Sequence, residues 1–159
     1  MPVTPFHLGV GALAKGIAPS RISFAAFAMS QAVIDCETVY YLWIVREWPL
    51  HRWAHTFLIG SCVAVAAGAA LFAAAKWTRP ASWWPFPSEW QLTPCILGGL
   101  LGGLSHPLLD GIMHADVEPL KPFAVGNPLL GALSLTMLHV LCVACGVLGL
   151  ALLTKRPHP

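Results

Sequence analysis

Residues 94–114 read PCILGGLLGGLSHPLLDGIMH, in which an uncharged apolar run over residues 94–104 is followed by a histidine, a carboxylate and a second histidine. On a helix, His106, Asp110 and His114 are spaced i, i+4 and i+8, so all three are expected along one face. Imidazole and carboxylate groups at this spacing are potential metal ligands. In apolar surroundings they are costly unless they are paired or bound to an ion. The stretch therefore predicts a membrane helix that carries part of a metal site.

The composition predicts an all-α integral membrane protein with a single domain over residues 1–159. Of the 159 residues, 57% are hydrophobic and only 10% are charged, and the mean hydropathy is +0.68. A soluble domain would carry about 25% charged residues. The net charge of +2 is small and scattered, so it does not indicate a nucleic-acid partner.

Four apolar runs are long enough to be transmembrane helices: residues 21–45, 55–76, 94–114 and 128–154. Residues 6–17 are too short to cross, and they predict a re-entrant or interfacial helix; the re-entrant form, which we favour, would place His7 at mid-depth. Prolines and tryptophans mark residues 77–94 as an interfacial loop. Alanines and glycines crowd the second and third runs, which predicts a tight interface between these two helices.

The basic residues favour a multi-pass protein of the cell inner (cytoplasmic) membrane, with both termini in the cytoplasm. Six of them lie on the membrane face that carries the two termini, and three lie on the opposite face. The opposite face would hold most of the histidines. The two sets are Lys15, Arg21, Lys76, Arg79, Lys155 and Arg156 against Arg46, Arg52 and Lys121.

Ionisable residues inside the predicted spans point to one polar layer. Asp35, His106 and His139 each lie about ten residues from the outer end of a span, which is about 15 Å deep. Asp35 shares a helix face with Gln31, whereas Glu37 lies about 200° around the helix. We therefore expect Asp35 as a ligand. Glu37 either supports a ligand, acts in catalysis or pairs with Arg46 or Arg52.

The histidines and carboxylates together predict a metal site. His51 and His55 are spaced four apart, like the histidine pair of a zinc-binding helix. The predicted ligands are His7, Asp35, His51, His55, His106 and Asp110. Imidazole and carboxylate without thiolate suit a divalent metal such as Zn²⁺, Mn²⁺ or Fe²⁺. More than four candidates suggest two zinc ions, although one would suffice to activate water.

Other polar side chains have simpler interpretations. A single histidine in a membrane helix usually makes a helix–helix hydrogen bond, which is the interpretation preferred for His139. The five cysteines lie mostly in apolar runs and are expected to be buried small side chains. Cys142 and Cys145 have the CxxC spacing, but a single such pair inside an apolar helix is a weak metal or redox signal.

Five short elements together resemble the bacterial family of membrane-bound metal-dependent hydrolases, also described as LexA-binding inner-membrane-associated hydrolases. They are His7, Ile34-Asp35-Cys36-Glu37, His51-Arg52-Trp53-Ala54-His55-Thr56, Ser105-His106-Pro107-Leu108-Leu109-Asp110 and Leu120-Lys121-Pro122-Phe123. The chain departs from the family in having Ile34 for a proline, Glu37 for an aspartate and a histidine pair that is four rather than five apart. The last difference leaves open which of His51 and His55 binds metal.

The resemblance implies a hydrolase, and the apolar setting suggests a membrane lipid or lipid-linked substrate, whose phosphoester or ester bond metal-activated water would cleave. Glu37, His114 and Asp116 are candidates for the general base or acid. Arg52 is the candidate for binding an anionic head group. Two alternatives stay open: a metal-ion or proton carrier, and a small membrane scaffold with a structural metal. Against the carrier, the sequence has no evident internal repeat.

Overall fold

The structure, a computed structural model, describes residues 5–78 and 86–155. Those residues form helices and no strand. Arg79, Trp83, Trp84 and Arg156, which entered the predictions on the loop and on orientation, lie outside the described residues. The helices are α1 (Leu8–Ile17), α2 (Phe24–Val39), which continues as a π-helical segment (Tyr40–Val45), α3 (Phe57–Thr78), α4 (Leu92–Met113) and α5 (Leu135–Thr154), with a short 3-10 helix (Pro87–Trp90) before α4.

Three helices are long and apolar enough to cross a membrane: α3, α4 and α5, of 22, 22 and 20 residues. The helix boundaries follow the predicted runs within three residues except at α5, which begins seven residues after the predicted start at 128. Residues 128–134 form turns instead, with Gly131 at a φ of 71°. Ser134 then starts α5 by accepting a hydrogen bond from the amide of Met137.

Glycines bring α3 and α4 into backbone contact, which confirms the predicted tight interface. A methyl group on Gly68 would collide with the carbonyl of Cys95, and one on Gly99 with the carbonyl of Ala64. Gly103 meets the backbone of Ser61 in the same way. Such close approach maximises dispersion contacts where lipid supplies no hydrophobic driving force between helices.

The remaining helices join through the same kind of contact. On α4, Gly98 lies against the carbonyl of Ser23 and Gly102 against the hydroxyl of Ser30, so α2 also packs directly on α4. Helix α1 packs mainly on α5, where Gly9 meets the carbonyl of Cys142. The C-terminal half of α4 is thereby held beside α2, α3 and the start of α1.

A buried ion pair fastens the other end of these helices. Lys15 pairs with Glu89, and their side chains retain 3% and 2% of their accessible surface. The ammonium group of Lys15 also donates to the carbonyls of Pro19 and Ile22, at 2.8 and 2.9 Å. Glu89 accepts from the amide of Ala25 at 2.6 Å, near the start of α2. Lys15, which the prediction of orientation counted among the basic residues on the face of the termini, is buried beside Glu89.

Candidate metal centre

Four predicted ligands from three parts of the chain converge on one point. They are Asp35 on α2, His55 just before α3, and His106 and Asp110 on α4. One ligand atom of each lies within 4.8 Å of the others. Nε2 of His106 is 3.1 Å from Oδ2 of Asp110 and 3.4 Å from Oδ1 of Asp35. Nε2 of His55 is 3.6 Å from Asp110 and 3.9 Å from Asp35.

These separations suit a tetrahedral metal site. Ligand atoms about 2.0–2.1 Å from a zinc ion lie about 3.3 Å from each other in tetrahedral geometry. Nε2 of His106 is fully buried, yet among the described residues it has no hydrogen-bond partner of acceptable geometry, although Asp110 is close. In the neutral ring, whose Nδ1 donates to Gln31, this nitrogen carries a lone pair that faces the group. The donor set therefore fits a divalent cation.

The opposite nitrogen of each histidine ring is fixed by a second residue. Nδ1 of His106 lies 2.8 Å from Oε1 of Gln31 and donates to it. Nδ1 of His55 donates to the carboxylate of Glu37 at 3.1 Å. These two Nδ1 contacts favour the tautomer in which Nε2 is unprotonated and available to a metal. The hydroxyl of Thr38 also lies 3.3 Å from Nε2 of His55. A metal bound to that nitrogen would displace this contact.

Glu37, predicted as a catalytic residue, is engaged with the loop before α3. Its carboxylate also accepts from the backbone amides of Arg52 and Ala54, at 2.8 and 3.0 Å. Asp35 and Glu37 thus have separate roles, as their angular separation on α2 predicts. The spacing of His51 and His55 had suggested that both lie on a helix. Residues 46–56 are not helical, so the pair lies in a loop instead.

His7 lies at the edge of the group. It is buried, with 3% of its surface accessible, and its Nε2 is 3.4 Å from Oδ1 of Asp110. Its ring meets the ring of His106 edge-on at 4.9 Å. Asp110 therefore contacts His7 through one oxygen and the two central histidines through the other.

A second group lies beside the first and contains His51, His114 and Asp116. The expectation that His114 shares a face with His106 and Asp110 was wrong, because α4 ends at Met113 and His114 adopts an extended conformation. Its ring stacks on that of His51, with centroids 4.5 Å apart. His51 in turn meets His55 of the first group edge-on at 4.6 Å.

Hydrogen bonds and burial shift the pKa values of two members of this second group, His51 and Asp116. Burial lowers the pKa of His51, and the neighbouring His55 lowers it further, against the opposing effect of Asp116. Partial burial alone would raise the pKa of Asp116. The hydrogen bonds from the imidazole and amide of His51 and from the amide of Leu50 outweigh it, and the net effect lowers that pKa. A neutral imidazole and an ionised carboxylate are the forms that bind metals.

Arg52 belongs to neither group. Its guanidinium lies over the ring of Tyr41 at 3.7 Å and donates to the carbonyl of Pro49 at 3.0 Å. It also pairs with Glu47 at 3.6 Å, and 66% of the Glu47 side chain is accessible. If Arg52 binds an anionic head group, as predicted, it would therefore do so at the surface of the protein.

His139 is separate from both groups. Its ring stacks on Phe6 at 4.2 Å, and its Nε2 is buried without a hydrogen-bond partner among the described residues. Within residues 5–78 and 86–155, Nε2 of His139 does not make the helix–helix hydrogen bond that was expected of this histidine. All five cysteines are free.

Two supporting residues had no predicted role in the site. The sequence could have indicated Gln31, because it is a polar residue four positions before Asp35 in an apolar run. No pattern in the sequence indicates Asn127. Its amide donates to the carbonyls of Gly111 and His114, at 2.7 and 3.0 Å, and so holds the end of α4 and the loop that follows.

A comparison of the chain with models of known families, with curated proteins and with solved structures gives no match.

Proposed function

We propose that this protein is an integral membrane metal-dependent hydrolase, related to the membrane-bound hydrolases that its motifs resemble. The observation that carries the proposal is the convergence of Nε2 of His55, Nε2 of His106 and the carboxylates of Asp35 and Asp110. Such an arrangement, in which Glu37 and Gln31 hold the far side of each imidazole, is typical of metal-binding histidines.

We take zinc as the metal because the ligand atoms lie at the separations of a tetrahedral site, the geometry that zinc prefers, and imidazole with carboxylate also admits Mn²⁺ and Fe²⁺. A divalent ion held there would act as a Lewis acid and lower the pKa of water to near neutrality. The protein's part is to hold the ligands in place. Glu37 does so through His55 and two backbone amides, so we assign it a positioning role rather than that of the general base. His114 and Asp116, the other candidates for proton transfer, lie in the second group.

The exposed edge of the metal group favours a lipid or lipid-linked substrate. Asp35 is its most accessible member, with 25% of its side chain exposed, while His55 and His106 are fully buried. On the same side of α2, Ala32 and Val39 are exposed apolar residues. A substrate that reaches Asp35 along this surface would arrive from lipid. Its scissile phosphoester or ester bond would meet the metal group, and Arg52 would bind an anionic head group after leaving its weak exposed pair with Glu47.

We further propose four crossings of the cell inner membrane. Helix α2 and the π-helical segment together run from Phe24 to Val45, which is 22 residues. At 1.5 Å per residue they reach about 33 Å, enough to cross the hydrocarbon core. Helix α1 has 10 residues and reaches about 15 Å, which fits a re-entrant helix. With the termini in the cytoplasm, the metal group would lie in the outer half of the membrane.

The test uses the full chain purified in detergent. Bound metal is measured by elemental analysis, and the turnover of phosphoester and acyl-ester lipids is followed before and after treatment with a chelator. We expect at least one equivalent of metal and turnover that chelation abolishes and zinc restores. His106→Ala should abolish both, whereas His139→Ala, the matched histidine control, should retain them.

Three outcomes would contradict the proposal. Metal without turnover of any lipid class, together with metal uptake by reconstituted liposomes, would identify a carrier. Metal without either activity, but with unfolding on chelation, would identify a structural metal. Stoichiometric zinc retained in His106→Ala would remove the assigned site.

A further inference from the structure

The second group of histidines and carboxylate resembles the first in its chemistry. It combines two imidazoles and a carboxylate, from the loop before α3 and from the segment after α4, and one ligand atom of each lies within 4.8 Å of the others. Nδ1 of His51 is 2.9 Å from Oδ2 of Asp116, a hydrogen-bond distance that is shorter than the 3.1–3.9 Å between imidazole and carboxylate atoms of the first group. The rings of His51 and His55 are in contact, so the two groups adjoin.

The backbone around the second group holds its members in place. Asp116 accepts from the amides of Leu50 and His51, at 3.0 and 3.2 Å, which ties the two segments together. Asn127 holds the carbonyl of His114 at 3.0 Å. The side chains of His51 and Asp116 retain only 6% and 4% of their accessible surface. The geometry is therefore fixed before any ligand arrives.

The charge of the region calls for more than one divalent ion. Within residues 5–78 and 86–155, the ion pairs of Glu37, Asp110 and Asp116 are all with histidines. A histidine that binds metal is neutral, so these three carboxylates then keep three negative charges. Asp35 adds a fourth carboxylate, so one divalent ion in the first group offsets two of the four negative charges and leaves two. One of those two is on Asp116, whose ion pair among the described residues is with His51.

We propose that His51, His114 and Asp116 bind a second divalent cation beside the first. This inference rests on the proposed metal centre and extends it to two ions. The ion would take the place of the proton between Nδ1 of His51 and Asp116, and the imidazole would stay neutral by carrying its proton on Nε2 instead. Three protein ligands leave a fourth position open, as in catalytic rather than structural zinc sites. The same donor types predict the same metal in both sites. The second site would bind more weakly, because it has one ligand fewer and because His114 is only half-buried.

The test is a titration of the chelator-stripped full chain in detergent with Zn²⁺ alone, followed by calorimetry and by elemental analysis after gel filtration. We expect two equivalents for the wild type, with the second bound more weakly. His114→Gln should bind one equivalent with the affinity of the tighter site. Asp116→Asn retains an oxygen for the amides of Leu50 and His51 but loses the charge. Like His114→Gln, it should bind one equivalent of zinc with the affinity of the tighter site. His139→Gln, a matched change outside both groups, should bind two.

A wild-type stoichiometry of one would overturn the inference, whether or not any variant folds. It would leave His51 as a fifth ligand of the first site or as a support for His55. Unaltered binding of two ions by correctly folded His114→Gln, judged by its helical circular dichroism, would also overturn it. One equivalent of bound zinc together with lipid turnover would reject only the second metal site. Two equivalents of zinc without turnover would reject the proposed hydrolase activity and leave the second site standing.

Discussion

Nδ1 of His106 lies 2.8 Å from Oε1 of Gln31, and this contact turns the opposite nitrogen of the ring toward Asp35 and Asp110. Gln31 lies one helical turn before Asp35 on α2, so a single helix supplies both a proposed ligand and the group that orients another proposed ligand. The pairing of α2 with α4 through Ser30 and Gly102 makes this possible, because it brings the two backbones close at the same height.

The first prediction concerns Gln31. Gln31→Leu should weaken zinc binding about 10- to 100-fold, since the ring of His106 loses the partner that fixes its tautomer and orientation. Competition with a chromophoric chelator measures the change. Gln31→Glu keeps an oxygen acceptor and is the matched control, with binding close to that of the wild type. Equal zinc affinities in Gln31→Leu and the wild type would show that the contact does not support the metal.

The second prediction separates positioning from proton transfer at Glu37. If Glu37 were the general base, Glu37→Gln would lower turnover by about 10²–10⁴-fold even at saturating metal. Because its oxygens are occupied by His55, Arg52 and Ala54, we expect a loss of zinc affinity instead, with turnover within about tenfold of wild type once zinc saturates the site. Turnover at a series of zinc concentrations distinguishes the two. A hundredfold loss that zinc does not rescue would return Glu37 to the catalytic role.

The three long apolar helices and most of the first group of histidines and carboxylates could be predicted, because both depend on local sequence patterns. Apolar runs of about 20 residues define α3, α4 and α5, and an aspartate or histidine inside such a run is conspicuous. The pair His106 and Asp110 needs only helical spacing. Asp35 could be preferred to Glu37 from the angle between them alone.

The rest depended on where helices end and which neighbours they meet. His114 left the face of His106 because α4 stops at Met113, and spacing rules assume that the helix continues. Depth along α5 could not tell which helix His139 would face. Since α5 packs on α1, the ring of His139 meets Phe6. The pair of Lys15 and Glu89 joins residues 74 apart in the chain, and no local pattern marks it.

The third prediction concerns His139. His139→Phe should preserve the stack on Phe6 and remove a buried nitrogen that lacks a partner, so its thermal stability in detergent should equal or exceed that of the wild type. His139→Ala loses the aromatic pair, worth about 0.5–1.5 kcal/mol beyond the buried area, and should be less stable. Both variants should bind as much zinc as the wild type. Loss of zinc in His139→Phe would show that this histidine belongs to the metal site after all.

The fourth prediction concerns the buried pair of Lys15 and Glu89. Lys15→Met leaves the carboxylate of Glu89 buried without its cation, which should cost about 3–5 kcal/mol of unfolding free energy. Glu89→Gln in the same chain removes that charge and keeps an oxygen for the amide of Ala25, so the double variant should be more stable than Lys15→Met. It should not regain the full stability, because the carbonyls of Pro19 and Ile22 still lack their donor.

We expect a coupling energy of about 0.5–3 kcal/mol from the double-mutant cycle, measured by unfolding in mixed micelles. Zinc bound per folded molecule should be unchanged throughout, because Lys15 lies about 12 Å along α1 from His7. Additive effects of the two substitutions would show that the two side chains stabilise the fold independently and that the ion pair itself contributes nothing.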